Sequence, residues 1–336
     1  MDEVRKIADA VLYEGYILWP YRRSAMKNQQ RWTFGGVYPE AYSRARGEDD
    51  PWTMQTQILV EGGDDASVEV RVRFLHVVER QVAARSGDDL ELVDELTVGA
   101  QRHLSWDEAA EREVTAPGLR LAALKTPQRV EISVPTGSER EELVDAEGGV
   151  AGEVLRSWRS LAGAVEIRAE RLRPRLHRLT IRIVNQTPWE GGRREDALRH
   201  TFVSTHTSVS AADGELVSLT DPPEDLRAEA EACENSGTWP VLVGTEGERH
   251  TLLSSPIILP DYPQIAPESP GDLFDAGEID QMLVLNILSL TDEEKEEMRD
   301  SDPRTREILE RTAALSPEEM MSLHGAIREF QAVRAR

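Results

Sequence analysis

Val68, Val70, Val72 and Phe74 alternate with Glu69, Arg71 and Arg73. Apolar residues at every second position share one side of an extended backbone, whereas a helix would scatter them around its axis. The segment is therefore a half-buried strand. The same alternation recurs over 129–134, 164–169, 176–184 and 199–209, and 239–243 and 251–259 are short apolar runs suited to buried strands. Turn signals stand between them at Gly62-Gly63, Gly87-Asp88, Gly148-Gly149, Gly191-Gly192 and Asp213-Gly214. Helical pieces are expected over 106–113, 151–161 and 223–232. Many short strands with intermittent helices predict an α+β fold, with a β-rich antiparallel sandwich or curved-sheet core and a C-terminal helical tail.

Four regions follow from the way composition shifts along the chain. Residues 1–52 form a basic, aromatic N-terminal arm: positions 1–47 carry 8 basic and 5 acidic side chains, and half of the chain's aromatic residues lie before position 53. Residues 53–260 are the β-rich core. Residues 261–280 are a proline-rich and acidic linker, because Pro256, Pro260, Pro263, Pro267 and Pro270 forbid helix and favour extended backbone. Residues 281–336 are the helical tail. Its starts are written as capping boxes, Thr291 with Glu294 and Ser316 with Glu319, and Met320, Leu323, Ile327 and Phe330 recur at helical spacing.

Charge and cysteine content exclude several functions. With 62 acidic against 39 basic residues the chain carries −23, which opposes general nucleic-acid binding. Cys233 is the single cysteine, so no intrachain disulfide and no multi-thiolate zinc or iron–sulfur site can form. A reducing, cytoplasmic location is expected. The start Met1-Asp2-Glu3 lacks the basic and apolar regions of a secretory signal, and no apolar run is long enough to span a bilayer. No phosphate-binding glycine loop, dinucleotide fingerprint, H-E-x-x-H or G-x-S-x-G is present. No cofactor is expected.

The candidate site residues fall into three groups. His200 and His206 share a strand face but stand roughly 20 Å apart if that strand is straight, too far for one metal ion. His206 or His250 could meet Cys233 across strands, which leaves these three as weak metal candidates; no catalytic residue is nominated. In the arm, Tyr16, Trp19, Tyr21, Arg22, Lys27 and Arg31 combine rings and cations in the manner of interface anchors. In the linker, Asp261, Tyr262, Glu268, Asp272 and Asp275 offer a second, acidic contact. Each segment also has a plainer reading, the arm as a wrap over the sheet and the linker as a spacer.

Four stretches carry a resemblance: LYEGYILWPYR at 12–22, GTWPVLVG at 237–244, 254–280, and 290–312. They resemble a family of actinobacterial-type proteins encoded beside high-affinity, hydrogen-scavenging nickel–iron hydrogenases. Trp19 and Pro260 depart from that pattern, where tyrosine is expected. The resemblance implies a non-catalytic accessory factor that binds a partner protein, a nickel–iron hydrogenase subunit, during its assembly or maturation. It supplies no catalytic residues. Two other readings stand beside it: an enzyme with a cryptic metal or carboxylate site in the β core, and a structural subunit of the hydrogenase complex.

Overall fold

The computed structural model describes residues 34–46, 50–87 and 89–263, with isolated positions at 5, 7–9, 12, 291–292, 295–296, 299, 306 and 309–310. The chain divides into two compact units, 1–17 with 30–263, and 18–29 with 264–336. In the second, the described positions Asp292, Lys295, Glu296, Arg299, Arg306, Leu309 and Glu310 are helical, and the Lys295 amide donates to the Thr291 carbonyl at 2.9 Å. Thr291 is the residue whose capping box predicts a helix start.

The first unit is mostly β. After α1 (Glu40–Arg46), one strand, β1, runs from Thr53 to Ser86, 34 residues. At about 3.3 Å per residue a straight strand of this length would span roughly 110 Å. It bends instead, and pairs antiparallel with five partners. Residues 53–61 pair with β10 (Leu176–Asn185) along one margin. The same margin then takes β5 (Trp106–Arg120) and β2 (Asp89–Val93). The opposite margin takes β11 (Val203–Leu216) and β8 (Val150–Trp158). Further strands extend the sheet in the order β12 (Trp239–Leu242), β13 (Thr251–Ser255), β11, β1, β10, β9 (Leu161–Arg173) and β6 (Gln128–Val134). The result is a curled antiparallel half-barrel with few helices.

Bulges make the curl. Between Gly62↔Gly214 and Ser67↔Ala212, residues 63–66 of β1 are opposed by Asp213 alone, whose φ is +57°. A Cβ on Gly62 would lie 2.5 Å from the Ala66 Cβ, and one on Gly214 would lie 2.9 Å from the Glu61 carbonyl. Only glycine allows that approach. Here the sequence's turn signals at Gly62-Gly63 and Asp213-Gly214 are corrected: both mark bulges inside continuing strands, because the partner strand bends with them. Two more bulges follow, at Pro117-Gly118 in β5 and at Ser204-Thr205 in β11.

The even-numbered face of β1 fills the half-barrel. Met54, Ile58, Val60, Val68, Val70, Val72 and Phe74 pack there against Val165 and Ile167 of β9 and Leu179, Ile181 and Ile183 of β10. Leu121 and Leu124, from the 3-10 turn Ala123–Lys125 and the residues before it, join the same core. The outer face is covered in patches. One lies under α1 and α2 (Arg194–Leu198), where Leu75 and Val77 meet Tyr38, Tyr42 and Leu198. Another lies under α3 (Arg227–Glu231), where Leu59 and Leu176 meet Leu226 and Ala230.

The far end of β1 leaves the barrel and builds a wing with β2, β8 and β7 (Gly137–Val144). Val82, Val154 and Leu143 share one of its faces and pack with Leu96 and Val98 of the hairpin β3 (Glu95–Val98) and β4 (Gln101–Leu104). Two expectations are overturned here. Residues 106–113, expected to be helical, lie in β5, and 151–161, also expected to be helical, lie in β8 as far as Trp158 and reach the start of β9 at Leu161. Intrinsic helix preference is worth only tenths of a kcal/mol per residue, and β1 offers both segments a ladder. Gly152 seals the second choice, since any Cβ there would sit 2.3 Å from the Ala83 carbonyl. The strand expected over 199–209 begins at Val203, and 223–232 is helical as expected.

Replacing Gly62 by valine should force β1 and β11 apart at their shared bend. Overpacking of this kind costs about 1–3 kcal/mol, so the urea midpoint of Gly62→Val should fall with an unchanged slope. An unaltered midpoint would mean the paired bulges do not constrain the curl.

Candidate functional site

Buried polar groups in the barrel wall are arranged to satisfy one another. The Ser254 hydroxyl lies 2.8 Å from that of Thr56 and 2.7 Å from that of Thr238. Among the described residues it has hydroxyl partners and no imidazole, so it is not an activated nucleophile. Gln57 hooks the segment after α3: its amide donates to Asn235 Oδ1 at 2.8 Å, and its Oε1 accepts from the Glu234 amide at 2.8 Å. Asn185 Nδ2 donates to the carbonyls of Val37 and His200 at 2.7 and 2.8 Å. These contacts hold loops to the sheet.

Of the residues the sequence nominates, Tyr16, Trp19, Tyr21, Arg22, Lys27, Arg31, Glu268, Asp272 and Asp275 lie outside the described residues. Asp261 and Tyr262 are turned onto the body of the protein. Asp261 Oδ1 accepts from the Leu242 amide at 2.7 Å, and the Tyr262 amide donates to the Leu242 carbonyl at 2.7 Å. The pair thus covers the outer edge of β12. Tyr262 also donates its hydroxyl to the Glu248 carbonyl at 3.1 Å and packs against the main core.

The weak metal candidates stand in different surroundings. His206 faces Arg73 across the β1–β11 ladder and is buried, with Nδ1 3.2 Å from the Ser204 carbonyl. Cys233 packs beneath α3, and burial pushes its thiol up, away from thiolate chemistry. His250 is exposed and lines a cleft of about 790 Å³ with Arg249, Arg175, Asp213 and Glu61. Among the described residues no group of three His, Cys, Asp or Glu side chains is placed to hold a metal ion.

Most arginines are matched by carboxylates. Arg73, nearly buried, is held by Asp9 at 2.7 Å and Glu111 at 3.0 Å. Arg80 and Arg156 oppose each other across β1 and β8, and Glu108 lies 3.4 and 2.8 Å from them. Arg156 also binds Glu141 at 2.9 Å and holds that carboxyl below its usual range. On the outer face of β9 and β10, Glu166 lies between Arg129 and Arg182 at 2.7 and 3.6 Å, beside a groove of about 810 Å³.

A group of basic residues lies at one end of the half-barrel. Arg112 of β5 sits opposite Phe74, and His76 opposite Ala110, so Arg112 and His76 are diagonal neighbours on one face. Phe74 stacks on Phe202 at 4.7 Å, two residues from His200, whose ring meets Trp189 edge-on at 5.6 Å. The backbone of Arg159 lies against the His76 ring. No carboxylate among the described residues pairs with Arg112 or Arg159. Burial, with the charges of Arg112 and His200, pushes His76 down to about 4; burial, with Arg159 and Arg199, also lowers His200. Spacing could not have found this cluster, because only the β1–β5 register puts Arg112 and His76 together.

The wing carries a second distinctive feature. Among the described residues β2 pairs only with β1, and β7 only with β8, so each has a margin without a strand neighbour there. Those two strands expose large aliphatic groups: Leu92 at 61%, Leu90 at 38% and Val144 at 52%. No helix among the described residues is long and apolar enough to cross a membrane. Comparison of the chain with protein-family models, with curated proteins and with solved structures finds no match.

His76 and His206 make stability pH-dependent. Both are pushed to about 4 by burial, from an ordinary value of 6.5. The unfolded chain therefore takes up protons below about pH 6.5 that the folded chain refuses until about pH 4, and stability falls as pH drops through that window. Urea unfolding at pH 7.0 and 5.0 should show the loss, and His206→Gln should reduce it. An identical pH dependence in the variant would mean that the buried imidazole is not its source.

Proposed function

We propose that this chain is a non-catalytic accessory factor that docks a partner protein through the open edges of its wing. The observation that carries the reading is the exposure of Leu90, Leu92 and Val144 on two strands that, among the described residues, pair on one side only. Such edges offer unsatisfied backbone groups and apolar side chains together, the requirements for strand addition by a partner. The interior of the half-barrel is filled by side chains, so recognition is left to the exterior. Asp89 and Glu91 on β2, and Glu139 and Glu142 on β7, favour a partner strand that alternates aliphatic with basic residues.

The resemblance carried by 12–22, 237–244, 254–280 and 290–312 supports a nickel–iron hydrogenase subunit as that partner, engaged during assembly or maturation in the cytoplasm. The basic aromatic arm, through Trp19 and Arg22, is a further contact in this reading.

Tagged protein should co-purify a hydrogenase subunit. Leu92→Lys with Val144→Lys should lower capture at least about tenfold while leaving the melting temperature nearly unchanged, because both side chains are exposed. Undiminished capture by the folded double variant would remove the wing as the docking surface. Failure of the unaltered protein to retain any hydrogenase subunit would remove the partner. Persistence of the chain in the mature, active complex would instead make it a structural subunit.

A further inference from the structure

The outward face of β10, β9 and β6 carries charge that docking at the wing does not use. The strand registers arrange it. Arg182 of β10 stands opposite Glu166 of β9, and Glu166 stands opposite Arg129 of β6. Arg168, two residues further along β9, stands opposite Thr180 and is a diagonal neighbour of both Arg182 and Arg129. Three guanidiniums thus surround one carboxylate on a single sheet face. With Gln55 and Gln128 they line the groove of about 810 Å³.

The three arginines differ in what holds them. Every nitrogen of the Arg129 guanidinium is engaged: Nε donates to Glu131 at 2.7 Å, Nη1 to Glu166 at 2.7 Å and Nη2 to Gln186 at 2.6 Å. Arg182 has Glu166 alone, at 3.6 Å, and rests over Trp52, 5.5 Å from the ring centroid. Arg168 is exposed and has no ion pair or hydrogen bond among the described residues. The next carboxylate on its face, Glu170, lies 3.6 Å from Arg178.

In a chain of net charge −23, the groove therefore offers Arg168 and Arg182 to a ligand of opposite sign. Arginine forks match carboxylates. Alternate residues of an extended peptide carry their side chains about 6.6 Å apart, close to the roughly 7–8 Å between diagonal neighbours on a sheet. The amides of Gln55 and Gln128 can both donate and accept, as peptide backbone requires. A nucleic-acid strand needs a ring to stack on, and Trp52 already carries the guanidiniums of Arg182 and Arg44.

We propose that this groove binds an acidic segment of a partner protein in extended form, with carboxylates of alternate residues on Arg168 and Arg182. Glu166 competes with the segment for Arg182 and so limits its affinity.

Fluorescence anisotropy of the full chain with a labelled peptide alternating Glu and Ala, against its Gln-Ala counterpart, tests this. The acidic peptide should bind at least about tenfold tighter, and added salt should shrink the difference. Arg168→Gln should weaken the acidic peptide at least about tenfold without moving the melting temperature, because the side chain is exposed. Glu166→Gln should act in the opposite direction and tighten binding, since it releases Arg182. Equal affinity for the two peptides, or unchanged binding by folded Arg168→Gln, would overturn the groove as the site. Free glutamate competing as well as the peptide would overturn an extended occupant, and tighter binding of a single-stranded oligonucleotide would overturn its class. Self-association of the chain that is lost in Arg168→Gln, with no peptide bound, would make a second copy the occupant instead.

Discussion

The β fold of the first compact unit is organised by the hydrogen-bond ladders of one strand. β1 lends its margins to β10, β5 and β2 on one side and to β11 and β8 on the other. A strand with five partners cannot be flat, since each pair twists and the accumulated twist must be released. Release happens at the bulges. Gly62 and Gly214 lie opposite each other where β1 and β11 bend, and Pro117-Gly118 and Ser204-Thr205 adjust the ladders on either side of Val70 and Phe74. The half-barrel is thus closed around its aliphatic core by irregularities in the strands that line it.

Long ladders also decide where charge can sit. A register fixed by hydrophobic burial puts Arg80 against Arg156, a like-charge pair that would repel. Glu108 relieves it from β5, and Glu141 continues the alternation from β7. Arg73 is relieved in the same way by Asp9 and Glu111.

The wing reflects the same economy of core. In the wing Val82, Val154 and Leu143 are covered by a small two-stranded hairpin, and Leu90, Leu92 and Val144 remain 38–61% exposed. Aliphatic groups on strand edges that lack a second neighbour among the described residues are the feature on which the proposed docking rests.

Alternation in the sequence determined the strands at 68–74, 129–134, 164–169 and 176–184, because a two-residue period is a local property that burial on one face enforces. It did not reveal the contact of Asp261 and Tyr262 with Leu242 of β12, which is made through backbone groups that no spacing shows. Helix-favouring stretches at 106–113 and 151–161 became strands because tenths of a kcal/mol per residue in propensity yield to a full ladder with β1. The turn signals at Gly62-Gly63 and Asp213-Gly214 became bulges, whereas Gly148-Gly149 lies in a turn, because whether a chain reverses or bends depends on the strand beside it. The single cysteine, the acidic balance and the aromatic arm were legible in composition alone. The placing of His76 beside Arg112 was decided only in three dimensions, where the β1–β5 register brings together residues that are 36 positions apart.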